Sequence, residues 1–536
     1  AIAFNNTVGV AGTSTITGVT TFYNTSTIRL GDYLSDVFNF NGGLTADLAS
    51  RISVKASQIN ATNSALHLAS PMTFEASATL SAGSGQMDLA AITLTAGATL
   101  TLGNASQSGA LNLSSVTGTA GAGAVSSLTL YSSGAVNVSG DITTKIGNVI
   151  LTNAAGATFS GAVGSSSDIV SAITLTASTG MVKFLGELYA TSLSNPLSSF
   201  DLHLYGSNTR VVNFVTLNTT GTVYFGDLTR TFVGCVCTGT TDPDALTFDR
   251  GIKHSGSNVI AGTFTRSSVT TCTGSDCGVR FDAGTTTFLG GNTTFDFGPM
   301  PIEFDNITLA TGITLTLGGG SSGTVTIGSI SGTLVDDSTC PSNIIINTTG
   351  AVSILRTIGT NIGSLTVTNS GGATFAGAVT TGTSVVITDT TDAATVAFNG
   401  ALTTPTLTTA SQAYNLALNA TGTAITNAVT FLNTGTLALG ASSSSTQTYT
   451  GGFTATAPSA STLKGTINST NAAMVFGPVT LGANTTLNSN ATTNAGDITL
   501  GAVTLGSNTL TLQTGNAISG ADVSGTSVSG LGSLAL

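Results

Sequence analysis

The stretch Ile146 to Val163, IGNVILTNAAGATFSGAV, recurs as Ile362 to Val379, IGSLTVTNSGGATFAGAV, at an offset of 216 residues. A gapless match over eighteen positions points to a chain built from similar units stacked in series. The two copies also read each other position by position. Val149 and Leu151 become Leu365 and Val367, both apolar, while Ile150 between them becomes Thr366. Phe159, Gly161 and Val163 become Phe375, Gly377 and Val379, with Thr158, Ser160 and Ala162 alternating between them. A period of two with one apolar face is the mark of a strand. Gly156 and Gly372 separate the two apolar runs, where a sharp turn calls for positive φ. Each unit thus reads strand, Asn/Gly turn, strand.

Echoes of the second strand recur as Phe184-Leu185-Gly186, Tyr224-Phe225-Gly226 and Phe398-Asn399-Gly400. Phe159 to Phe184 is 25 residues, and Phe375 to Phe398 is 23. Repeats of roughly 20–25 residues match one coil of a β-solenoid, each turn stacking on the last. The expected fold is therefore all-β, an elongated β-solenoid with a loop-decorated middle. At about 22 residues per coil and ~4.8 Å between coils, the chain predicts roughly 24 coils. Its predicted core stack is Val149, Leu151, Phe159, Val163, Phe184, Tyr224, Leu365, Val367, Phe375, Val379 and Phe398. In each echo the ring fills the interior, and the following glycine leaves room for it or for a bend.

Composition narrows the function classes. Charged residues make up 7% of 536, against about 25% in ordinary globular proteins. Hydrophobics at 40% in regular alternation separate the chain from disordered low-complexity segments. The net charge is −11, with 13 Lys and Arg in all. That scarcity leaves no basic groove for nucleic acid and no patch for anionic membranes. No apolar run approaches the ~20 residues of a membrane span. The opening Ala1-Ile2-Ala3-Phe4 reads as the start of an exported, processed chain.

The sequence divides into four stretches. Residues 1–45 are Thr- and Asn-rich with several aromatics, and serve as a cap or assembly segment; 46–230 is regular solenoid. Residues 231–345 hold every cysteine and four of the prolines, and read as coils carrying longer loops. Residues 346–536 return to the regular pattern and close on an uncharged run, Val523 to Leu536, which reads as an assembly end. An open solenoid end is a sheet edge that must be capped or paired.

Cys235, Cys237, Cys272, Cys277 and Cys340 are the disulfide candidates of an exported chain: two bridges, with Cys340 left over. The Cys-x-Cys and Cys-x4-Cys spacings do not match zinc sites. The acids Asp242, Asp244, Asp249, Asp276, Asp282, Asp296, Asp336 and Asp337 cluster in the same region. They read as solvated loop acids rather than a catalytic pair. Calcium is the only cation part of that set is expected to suit, and no cofactor or metal site is otherwise expected. His67 and His203 each lie between two leucines and face away from them, as isolated surface or groove histidines. No catalytic triad, phosphate loop or dinucleotide fingerprint appears, so the chain is read as a non-enzyme. Asn153 and Asn369 suit left-handed turns and side-chain ladders between coils.

With strands such as Phe159-Ser160-Gly161-Ala162-Val163 alternating with Thr-Leu-Thr runs and Asn/Gly turns, the chain resembles filamentous-haemagglutinin-like β-strand-repeat proteins of bacterial surfaces. That resemblance implies an exported right-handed parallel β-helix, serving as an adhesin or as extracellular structural material. The leading expectation is an extracellular structural protein whose subunits assemble end to end or side by side into a fibre, sheath or layer. A homopolymer formed through the solenoid ends is its expected partner state. The alternative is a surface adhesin presenting the 231–345 loops to a receptor or glycan. A polysaccharide-acting enzyme is the minor reading.

Overall fold

The computed structural model describes residues 2–4, 12–119, 124–176, 178–227, 232–233, 236–237, 244–266, 272, 277–334, 340–515 and 520–536. At residues 2–4, 232, 233, 236, 237, 282, 283 and 285 it describes the backbone alone. Among the described residues the fold is all-β, without a helix, and its parallel strands stack in about 21 turns as a β-solenoid. Two compact units divide the chain: residues 1–228 with 242–277, and residues 229–241 with 278–536.

The first unit has three strand faces per coil. One face runs through Ile28–Leu30, Ile52–Val54, Met72–Phe74 and Ile92–Leu94, paired in parallel and in register. A second runs through Val37–Phe40, Gln58–Asn60, Ala78–Ser81, Thr99–Gly103, Ser126–Tyr131 and Ile146–Thr152. The third runs through Leu66–Leu68, Met87–Leu89, Leu111–Leu113, Ala135–Val138, Gly156–Phe159, Val182–Phe184, Leu202–Leu204 and Val223–Phe225. Many of these strands are three residues long, with buried ends and a half-exposed centre. A strand this short cannot hold itself together. It persists because each backbone group pairs with the coils on either side and each apolar end enters a common core.

The eighteen-residue repeat takes the same form in both units. In the first, Ile146–Thr152 and Gly156–Phe159 are strands, and Val163 bridges to Ile142 and Leu188. In the second, Ile362–Asn369 and Ala373–Phe375 are strands, and Val379 pairs with Leu402. Val149, Leu151, Phe159, Val163, Phe184, Leu365, Val367, Phe375, Val379 and Phe398 are all buried. The run from Phe159 to Val163 is not one strand, however. It breaks at Ser160-Gly161, and Val163 opens the next face. The reason is a glycine column at that corner. A Cβ on Gly161, Gly186 or Gly206 would lie 2.3, 2.4 or 2.0 Å from backbone atoms of Gly140, Gly161 or Gly186 respectively. The glycine therefore accommodates close backbone approach between coils and not the bulk of the ring. Of the two turn glycines, Gly372 has φ +114. Gly156 instead begins a strand without positive φ, because Asn153 (φ 59) takes the left-handed position.

Tyr224 is a correction. The x-Gly echo placed it in the core, but the register pairs Phe225 with Leu204 and Tyr224 with His203. Phe225 is fully buried and Tyr224 faces outward. Three-residue strands leave no margin for a one-residue slip, which exchanges faces.

The loops lengthen the coil. Phe225 follows its partner Leu204 by 21 residues, yet Ile260 follows Phe225 by 35. Insertions of this kind explain why the turns number about 21 and not roughly 24 as a uniform coil predicts. In the second unit, Gly278–Asp296 pairs with both Ile302–Leu309 and Thr314–Ser321. From Ile302 onward the stack is regular, with Phe304, Ile327, Ile354, Phe375, Phe398, Leu418, Leu439 and Leu463 in one inward register. Val523–Ser529 pairs with Ile498–Thr504 and is exposed along its whole length.

Candidate functional site

The third face of the first unit carries the densest chemistry among the described residues. Its outward positions form one column: Thr45, His67, Asp88, Asn112, Asn137, Thr158, Lys183, His203 and Tyr224. Apolar strand ends lock each coil in register, so every central side chain lands on the same line one coil spacing from the next.

At one end the column is a continuous polar chain. Asn137 Nδ2 donates to Asn112 Oδ1 at 2.9 Å, and Asn112 Nδ2 donates to Asp88 Oδ1 at 2.7 Å. Gln86 Nε2 donates to the same oxygen at 2.6 Å. His67 stands between Asp88, at 3.2 Å, and Asp47, at 3.5 Å. Burial alone would raise the Asp88 carboxyl, but hydrogen bonds from Asn112, Gln86 and His67 outweigh it and hold Asp88 below the usual carboxylate range. Aligned hydrogen bonds of this kind polarise one another. An open groove of about 470 Å³ runs beside the chain, lined by Asp88, Asn112 and Asn137 and by the corner residues Ala90, Ser114 and Ser139.

At the other end the column turns aromatic. His203 stacks on Tyr224 with centroids 4.2 Å apart and planes 21° from parallel. Tyr205 meets His203 edge to face, at 4.9 Å and 78°, and Tyr205 Oη lies 2.7 Å from His203 Nδ1. Burial, the Tyr224 hydroxyl and Asp227 raise the Tyr205 phenol, so it keeps its proton. Burial and the Lys183 charge depress His203, against a weaker pull from Asp201, so the ring is neutral. The Tyr205 hydroxyl and His203 Nδ1 share one hydrogen bond, and His203 Nε2 is buried without a hydrogen-bond partner.

The histidines are thus not isolated. His67 and His203 face away from their leucines as expected, but they share one column. His203 is only 7% exposed because Tyr224 and Tyr205 cover it. His254, between Asn258 Oδ1 at 2.9 Å and the Thr219 carbonyl at 3.0 Å, is fully buried. The sequence signal for the column is present but weak. Leu-His-Leu, Met-Asp-Leu, Leu-Asn-Leu and Val-Asn-Val each set a polar centre between apolar flanks, and reading those centres as one line requires the register.

The other predicted sites resolve differently. Cys272 and Cys277 form a disulfide with Cα atoms 5.9 Å apart. Cys340 is also disulfide-bonded, which corrects its reading as the odd cysteine. Cys237 ends the short strand Val236–Cys237, with only its backbone described, and Cys235 lies outside the described residues. Asp244 and Asp249 are buried, contrary to the reading of solvated loop acids. Arg210 donates to Asp249 Oδ2 at 2.9 Å, which compensates that burial. Asp244 accepts the Asp227 N–H. Asp296 caps a turn through the Gly298 N–H. Asp242, Asp276, Asp336 and Asp337 lie outside the described residues, as does the Asp282 side chain. Among the described residues no three His, Cys, Asp or Glu side chains gather to hold a metal ion. No helix there is long and apolar enough to cross a membrane. No protein family, curated protein or solved structure matches this chain.

Proposed function

We propose that this chain is an extracellular structural protein, a β-solenoid that associates side by side with copies of itself into a sheath or layer. One observation carries the reading. Residues 374–480 contain just three charged residues, Asp389, Asp392 and Lys464. The outward column of that stretch is Thr374, Ala397, Ala417, Ala438, Thr462 and Thr480. Sheets that remain separate in solution ordinarily carry lysines and other charges. A face of Ala and Thr lacks that repulsion and lets a second sheet approach to about 10 Å. The Cys272–Cys277 disulfide supports an oxidising setting outside the cytosol.

Sedimentation velocity across a concentration series tests the reading. The wild-type chain is expected to form larger species as concentration rises. Ala417→Lys and Ala438→Lys are expected to remain monomeric with unchanged melting. A wild-type chain that stays monomeric at the highest concentration contradicts the proposal.

A further inference from the structure

Beyond its structural role, we infer that the third face of the first unit is a binding site for an extended, uncharged polysaccharide strand, which lies along the column from Asp88 to Tyr224. Six coil steps separate these residues, about 29 Å at the usual strand spacing. One coil step is close to the length of one hexose, so each sugar meets a fresh set of side chains.

The chemistry changes along the line in the way a sugar chain requires. Pyranose edges carry hydroxyls that both donate and accept. Asp88, Asn112 and Asn137 offer both kinds of partner beside the open groove, and Asn137 is exposed. Pyranose faces are apolar C–H surfaces that pack on aromatic rings. Tyr205 and Leu185 continue the corner row begun by Ala90, Ser114 and Ser139, each N–H bonding to the coil before. Leu185 is 44% exposed. Because His203 and Tyr224 stack along the coil direction, a ring at 78° to His203 has its plane running along that direction. Tyr205 thus lies parallel to a ligand following the row. Its hydroxyl is held by His203, which fixes the platform before any ligand arrives.

The same surface disfavours other extended ligands. Asp88 in the column and Asp47, Asp201 and Asp227 beside it outnumber Lys183 among the described charges around these residues, which disfavours a polyanion. An extended peptide has no backbone edge to pair with here, since each strand of this face is already bonded on both sides, as Leu111–Leu113 is.

Calorimetric titration of the full chain with cellohexaose, maltohexaose and chitohexaose tests the inference, with heparin and an extended uncharged peptide as comparison probes. At least one neutral hexasaccharide should bind, and the matching disaccharide should bind at least about tenfold more weakly as contacts are lost. Tyr205→Ala should weaken the hexasaccharide about tenfold through loss of the stacking face. Tyr205→Phe, which keeps the ring, should stay much closer to wild type. Asn137→Ala, on an exposed side chain, should weaken binding by a similar factor while a thermal melt confirms that the variant is folded. Thr101→Ala, on the second face, should leave it unchanged. Binding of none of the three hexasaccharides overturns the inference, as does binding of heparin or the peptide alone. So does hexasaccharide binding that is indifferent to Asn137→Ala.

Discussion

Phe159 and Phe184 lie one coil apart with ring centroids 4.7 Å apart and planes 6° from parallel. Phe375 and Phe398 repeat the relationship in the second unit, at 4.7 Å and 10°. The sequence repeat is thus a repeat of interior packing, and each ring sits in line with a strand that the neighbouring coil holds in register.

Removing one of these rings should be costly. Phe159→Ala or Phe375→Ala is expected to destabilise by about 3–5 kcal/mol, the usual range for a buried aromatic truncation. Phe159→Asp should cost more, since it also buries a charge. Thermal and urea melts measure this, and an unchanged midpoint would place those rings outside the core.

The glycine corner predicts a second asymmetry. Gly186→Ala puts a methyl 2.4 Å from Gly161 backbone, so coils must shift, at a cost of about 1–3 kcal/mol as in other overpacked sites. Gly359→Ala, where the nearest atom is 4.0 Å away, should be close to neutral. Equal effects at the two sites would refute close coil approach as the reason for the column.

Alkaline pH should weaken the second unit through its buried tyrosines. Burial pushes the Tyr414 phenol up to about 12, and Tyr449 is fully buried and is raised as well. A raised folded value means the stabilisation is complete below the unfolded value of about 10 and is lost as pH climbs from there through the folded value. Denaturation midpoints between pH 9 and 12 should therefore fall, and Tyr414→Phe should flatten the slope.

Asp88 acts at the opposite end of the scale. Its depressed folded value gives stabilisation that is present above about pH 4 and is lost as pH falls through the folded value. Asp88→Asn should make the acid limb of the pH–stability curve shallower. An unchanged limb would mean that the Asn112–Asp88–His67 chain contributes nothing.

Architecture was legible because it rests on side-chain alternation, which the sequence displays directly. Two copies of one eighteen-residue stretch identified inward positions that the structure buries without exception. The Tyr224 position was misread because an x-Gly match does not say whether the aromatic lies one or two residues before the corner. The polar column was not legible. His67 and Tyr224 are 157 residues apart in sequence, and only coil register joins them. The burial of Asp244 and Asp249 is not legible in sequence, because local sequence does not show Arg210 crossing from an earlier coil to Asp249. The side-chain ladders expected at Asn153 and Asn369 occur instead at Asn39–Asn60, Asn112–Asn137 and Asn399–Asn419.

Electron microscopy of the purified full chain at high concentration tests the structural proposal most directly. The account predicts ordered arrays in which solenoids lie side by side, and their loss in Ala417→Lys. Dispersed single particles from the wild-type chain at every concentration would contradict it.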